Sequence, residues 1–560
     1  MFYPATNALL DSKKVNHSIV CAERSVRYNA ISFLNIARAP VYILLIFFLG
    51  LSFYCISQRL TYPFELEWIE NEMVAHGMML AQEHRIYSAP ATEFIAEIYP
   101  PVYYLVIAVF FTLFNTVNFF IPRLISVAAL VGILILLYRI MIKEGGAQSI
   151  GLLVSGFFLS FYEIHGTWFD LARADMLMFV LLLLGCYVLA YGRRRFAAAL
   201  GAAMLLVAAC YTKQTGIYFL PFIGLYLLFK DKKQCLIFSA ATGGLLLTLF
   251  FLLQYTSDGW FGTYVLFNPL RFNTVLLKPL SELQFRMLFE MRDKLIPEMR
   301  YEIFYKLPVF FTLVLAFMLY RIVSITRHST FSLWECTALA APLAYFTIRP
   351  HPGSERNDFL CMTIWGCILL GLFLIRLSAG AAQDSKNRMH ITVYLLLTLQ
   401  LCLQLYNPGQ LIPTPQDAKK GSEFISMVKN MPGEVYIPYH TLYGSMAGKK
   451  KIFNGGAYWS YQILAKEPFR PADMIEKVKN KHFSAIIIDD TGYLTAKGER
   501  IMVDNVKMLL TANDPLSTAV AENYTLAGRI PYSTDSEFRT VTGFQTRPEL
   551  ILKPKKQKGS

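Results

Sequence analysis

Apolar runs of roughly 17 to 25 residues, the length that crosses a bilayer core as a helix, recur along the first 405 positions of the chain. They fall at about 39–58, 122–138, 148–163, 174–191, 196–211, 216–230, 235–255, 307–325, 331–347, 359–377 and 389–405. The pattern predicts about eleven membrane spans. A further run, about 101–117, opens on Pro100 and Pro101 and ends near Asn118. Counting it as a span would put the basic YRIMIKEGG loop on the outer side, against the positive-inside bias. It therefore predicts a helix lying in the outer interface, within the first external loop.

Beyond residue 406 the pattern changes. AIII at 485–488 and EVYIP at 434–438 read as buried strands bounded by turn residues, and helical periodicity covers about 415–430 and 471–480. The chain then divides into a cytoplasmic segment (1–38), an all-α polytopic membrane domain (39–405), a small α/β domain on the extracytoplasmic side (406–550) and a basic tail (551–560).

Composition agrees. The 560 residues are 55% hydrophobic and 16% charged, where a soluble chain carries about a quarter charged residues. The net charge of +14 does not imply a nucleic-acid partner, because much of the Lys and Arg sits in short loops between spans. The first 38 residues lack a short apolar core with a small-residue cleavage site, so they read as a lead into an uncleaved first helix. The last of nine cysteines is Cys402, so no disulfide framework holds the C-terminal region, and no CxxC or His/Cys spacing suggests zinc.

Loop charge places the unusual residues on one side. The first outer loop, TYPFELEWIENEMVAH, carries Glu65, Glu67, Glu70 and Glu72, and IYPPVYY follows with Tyr103 and Tyr104. The second, YEIHGTWFDLARAD, holds Glu163, His165, Asp170, Arg173 and Asp175; the third, YTKQTG, holds Lys213; the fifth, TIRPHPGSERND, holds Arg349, His351, Arg356 and Asp358. Acidic residues beside lipid are costly unless solvated or paired. Carboxylates can act as general base or hold a metal, and Arg and Lys can bind phosphate. Taken singly, each has a plainer reading. Glu65 and Glu72 read as solvated face charges, Lys213 as snorkelling to headgroups, Arg173 as a structural partner of Asp170 or Asp175, and Tyr103 as part of an aromatic belt. Their joint occurrence on one side favours a pocket for a substrate with an apolar tail and a phosphorylated head.

The ordered set FELEWIENEMVAHGMML, IYPPVYYLV, LARADML and TKQTGIYFLP resembles the family 39-like branch of the GT-C membrane glycosyltransferases, which includes protein O-mannosyltransferases and lipid A aminoarabinose transferases. The resemblance covers roughly residues 40 to 380. It implies the GT-C fold and an inverting transfer of sugar from a polyprenyl-phosphate donor to a lipid, glycan or protein acceptor on the outer side of a bacterial inner membrane. It implies Glu67 as the general base of the first loop, in place of the family's commoner aspartate, with Glu70 the second choice and Asp175 a second catalytic acid. It implies Lys213 at the carrier phosphate, with Asp170, Arg173, Tyr103, Arg349 and His351 around the substrate. A divalent Mg or Mn between Glu67 and Asp175 is compatible with it; a nucleotide is not required. No WWDYG-like stretch or large β-trefoil insert is present. The alternative readings are a transporter or flippase of lipid-linked sugars, which would want the same basic cavity but also midplane charges and repeats, and a non-catalytic assembly subunit.

Overall fold

A computed structural model describes residues 35–275, 296, 297, 299–325, 331–349, 354–379, 383–464, 469–489, 492–494, 500–502 and 515–556. Each apolar run becomes helix. The first is α1 (Asn35–Leu60). Then follow α2 (Glu70–Glu83), α3 (Val102–Phe114), α4 (Phe120–Lys143), α5 (Gln148–Leu159), α6 (Asp175–Tyr191), α7 (Arg195–Cys210), α8 (Leu220–Lys230) and α9 (Lys232–Thr256). Further apolar helices span Pro308–Ile325, Leu333–Ala338 with Ala340–Ile348, Leu360–Ala379 and Gln383–Leu403.

Among the described residues, four helices are long and apolar enough to cross a membrane: α1, α4, α9 and Arg356–Ser378. A fifth counts if the bent pair Arg388–Leu403 and Pro408–Asn430 is one span, and six more apolar helices have 10–17 residues. The expected count of about eleven is thus not reached by length alone. The reason is local. Several helices stop early and give way to irregular backbone that is itself buried. α5 ends at Leu159, and residues 160–174 run on through turns, buried except for half-buried Glu163. α7 ends at Cys210 and passes into a 3-10 turn at Gln214–Phe219. Irregular backbone of this kind is tolerated in a membrane protein where protein surrounds it.

The outer faces of α1 and α9 are apolar and uncovered: Ile43, Ile46 and Phe53 on one, Leu247, Phe251 and Leu252 on the other, are all more than half exposed. Water does not tolerate so large an apolar surface, and the chain is an integral membrane protein. α3, at 13 residues, buries Tyr103, Tyr104, Ile107 and Phe111 and exposes Leu105, Val109 and Leu113. It packs on α2 at Gly77, where any side chain would collide with Ile107.

The C-terminal region opens with the helix Pro415–Asn430, capped reciprocally by Thr414 and Asp417. Its strands are β1 (Glu434–Tyr436), β2 (Phe483–Asp489), β3 (Gly492–Leu494), β4 (Arg500–Met502), β5 (Tyr524–Arg529) and β6 (Pro548–Pro554). Four of them form a sheet in the order β1-β2-β6-β5, with β1 and β2 parallel and the other pairs antiparallel; β3 pairs with β4. The last strand passes the boundary drawn at 550. This region sits directly on the loop between α1 and α2. Phe64 meets the rings of Tyr443 and Phe538 edge-on, at 5.7 and 5.3 Å.

Candidate active site

The stretch between α1 and α2 has neither helix nor strand to hold it, so its side chains do the fixing. Glu70, the first residue of α2, is fully committed. Arg123 on α4 grips it with Nη2 to Oε2 at 2.7 Å and Nε to Oε1 at 3.0 Å. The Leu66 and Ala172 amides donate to it at 2.7 Å each. Burial works against the charge, but Arg123 and these donors hold the Glu70 carboxyl below its ordinary range. Asp170 is committed likewise, to Arg59 at 2.7 and 3.1 Å and to the Tyr162 hydroxyl at 3.0 Å. Both anchor the loop rather than offer it a free oxygen. Breaking such a buried pair costs several kcal/mol because the survivor keeps an unmatched charge.

Glu67 differs. It is fully buried. Its Oε2 accepts from the Ile69 amide at 3.2 Å and from Arg173 Nη1 at 3.3 Å, while Oε1 has no hydrogen-bond partner among the described residues. Burial outweighs the long contact to Arg173 and pushes the carboxyl up to about 8.

From Glu67 the polar chain runs on. Arg173 Nη2 donates to the Tyr99 hydroxyl at 3.0 Å, and its guanidinium lies 5.6 Å from the ring centres of both Tyr99 and Trp168. Lys213 Nζ stands 6.0 Å over the same Tyr99 ring. It donates to Asp175 Oδ1 at 2.6 Å and lies 3.8 Å from Asp358; Asn357 also donates to Asp175, at 2.9 Å. Glu67, Arg173, Lys213 and Asp175, all buried, with half-buried Tyr99 between them, thus form one row drawn from four loops and the start of α6. Arg349 joins at its edge, 3.4 Å from both Glu302 and Ser354, and Ser354 donates to Asp358 at 2.6 Å. His351 lies outside the described residues.

Other expectations need correction. Glu65 and Glu72 are not solvated; they are 3% and 2% exposed, because the C-terminal region covers the loop. Lys213 does not reach for headgroups but is held by Asp175. Tyr103 is no interfacial belt residue: it is buried and donates to the Pro122 carbonyl at 3.2 Å. Glu67 and Asp175, the pair a Mg or Mn ion would bridge, are each engaged by a protein cation. Among the described residues no group of three or more His, Cys, Asp or Glu side chains is placed to hold a metal. The donor set does not fit a divalent ion. Sequence reasoning passed over Tyr99, Trp168, Asn357 and the anchoring Arg59 and Arg123. Arg59 and Arg123 left a signal, as charges at the end of one apolar run and the start of another.

Residues 98–350 match the model of glycosyltransferase family 87. The match supports a GT-C membrane glycosyltransferase. The GT-C superfamily read from the ordered loop motifs stands, with family 87 as the model that matches. No curated protein matches the chain. Among solved structures the chain is similar to ArnT from Cupriavidus metallidurans, solved bound to undecaprenyl phosphate. The identity is 11% over 91% of this chain and 97% of that one, with a TM-score of 0.49. It is also similar to the archaeal oligosaccharyltransferase AglB from Archaeoglobus fulgidus, solved with an inhibitory peptide and a dolichol-phosphate. There the identity is 12% over 91% and 80%, with a TM-score of 0.44.

Proposed function

We propose that this protein transfers a sugar, with inversion, from a polyprenyl-phosphate donor to a lipid, glycan or protein acceptor at the extracytoplasmic face of a bacterial inner membrane. Glu67 is the general base. Its Oε1 takes the proton from the acceptor hydroxyl or amine as that atom attacks the anomeric carbon. The bond from that carbon to the phosphate oxygen breaks, and polyprenyl phosphate leaves. Its charge meets Lys213 and Arg173, whose positions are set in advance by Asp175 and Tyr99; fixed cations in a water-poor site stabilise developing charge well. The observation that carries this reading is the Glu67 oxygen, unpartnered among the described residues, beside the cations Arg173 and Lys213, in a chain matched by a glycosyltransferase family model. The C-terminal α/β domain stands on the same outer side.

The test is a panel of polyprenyl-phosphate sugars offered to the protein in proteoliposomes with mixed lipid and glycan acceptors. Release of free polyprenyl phosphate together with a glycosylated product is the expected outcome. Movement of labelled carrier lipid across the bilayer without release would replace the transferase by a flippase.

A further inference from the structure

The residues on either side of Glu67 are held by the C-terminal region. Glu65 Oε2 bonds His440 Nδ1 at 2.6 Å, and the far nitrogen of the same ring, Nε2, lies 3.0 Å from Asp489 Oδ2 on β2. All three side chains are buried. The Glu65 amide donates to the hydroxyl of Tyr443, whose ring stacks on His440 at 5.1 Å. The Leu66 carbonyl accepts from the Val541 and Thr542 amides at 3.0 and 3.2 Å. The loop that supplies those amides returns to Asp489. Its Thr540 amide donates to the Thr546 carbonyl at 3.1 Å, and the Thr546 hydroxyl donates to Asp489 Oδ2. Beyond Leu66, Gly543 lies so near Glu67 that a Cβ there would stand 3.2 Å from Glu67 Cγ. Trp68 packs edge-on against Phe544 at 5.2 Å.

The Glu67 carboxylate therefore stands where two C-terminal contacts place its backbone: a carboxylate–imidazole–carboxylate bridge before it and a two-amide grip on Leu66. We propose that His440 is a positioning residue for the transfer reaction, acting through Glu65 and the 540–546 loop to set Glu67 against Arg173, so that the C-terminal domain completes the active site rather than merely covering it. This rests on the transferase reading above. His440 touches no reacting atom. Its effect belongs on the rate of the chemical step, because a displacement of about 1 Å at a reacting group costs on the order of 100-fold.

The full-length protein in nanodiscs tests this with two variants and two readouts. His440→Ala removes the bridge. Gly543→Ala keeps the bridge but pushes a methyl against Glu67 Cγ, at a backbone φ of +65° that glycine adopts more readily than alanine. For each, kcat and donor KM for polyprenyl phosphate release are measured, along with amide hydrogen exchange over residues 61–72. The expected result is a kcat lowered roughly 10-fold to 100-fold with donor KM within about 2-fold, partial rescue by His440→Gln, and faster exchange at 65–67 in His440→Ala. Unchanged kcat in either folded variant, or unchanged exchange in His440→Ala, overturns the proposal. If the wild type releases nothing from any donor, the transferase reading falls, and exchange alone then decides whether His440 holds the loop.

Discussion

A carboxylate can take a proton from a substrate only if it has an oxygen to spare. Glu70 has none: two guanidinium nitrogens and two amides occupy it. Glu67 has one, Oε1. The two glutamates are three positions apart and read alike in the sequence. What separates them is Arg123, 53 residues further on, a distance no local pattern spans. The same residues set two predictions. Arg123→Ala leaves Glu70 buried without its cation and should cost about 3–5 kcal/mol, read as a lower thermal midpoint in detergent; an unchanged midpoint would deny Glu70 its anchoring role. The second concerns pH. Glu67 must be ionised to act as base, and burial raises its carboxyl to about 8, so the transfer rate should climb as pH rises toward and through 8. His440 is also raised, by its carboxylate neighbours rather than by burial. Burial disfavours its charge, but Asp489 and Glu65 outweigh burial and raise it to about 10. A histidine raised on folding contributes stability that is complete below its ordinary value and lost as pH rises through the folded one. The rate should therefore fall again above about 10. A rate that does not rise between pH 6 and 9 would contradict the Glu67 assignment, and one that does not fall above about 10 would contradict that of His440.

At the scale of elements, the positions of the helices were legible and their ends were not. The apolar runs at 122–138, 174–191 and 235–255 became α4, α6 and α9 with shifts of a few residues. The run at 148–163 became an α5 that stops at Leu159, because the polar side chains that follow find partners inside the protein and release the backbone from helix. Strands at 434–438 and 485–488 were visible as β1 and β2, but β5 and β6 were missed: RPELILKP mixes charge into its apolar positions, and its Arg547 and Glu549 pair with each other at 3.0 Å. One close contact between elements is open to test. Gly77 lets α3 lie against α2 at Ile107. Gly77→Val should force the two helices apart at a cost of about 1–3 kcal/mol, seen as a lower thermal midpoint and as reduced activity. A variant as stable and active as the wild type would show that the two helices need not touch.

Over the whole molecule, the site is assembled from segments far apart in the chain: Glu67 before α2, Arg173 before α6, Lys213 after α7, and the C-terminal region, whose His440 and 540–546 loop grip the first loop. Loop charge alone gave the common side, and the ordered motifs gave the superfamily; neither could place His440 or Asp489 beside Glu65, since contacts between separate regions leave no periodic trace. The orientation has its own check. Ser422 is exposed on the helix Pro415–Asn430, and a Ser422→Cys variant in intact cells should react with a membrane-impermeant thiol reagent, above the background of the wild type. Labelling only after permeabilisation would turn the domain to the cytoplasm and end the account of an outer site. The central claim is narrower: that Glu67 is the base for displacement of polyprenyl phosphate. It is met most directly by the rate of polyprenyl phosphate release in proteoliposomes, wild type against Glu67→Gln, with an active donor. The account predicts a loss of about 10²–10⁴-fold in the variant with its thermal midpoint preserved or raised. Release at the wild-type rate from Glu67→Gln would contradict it.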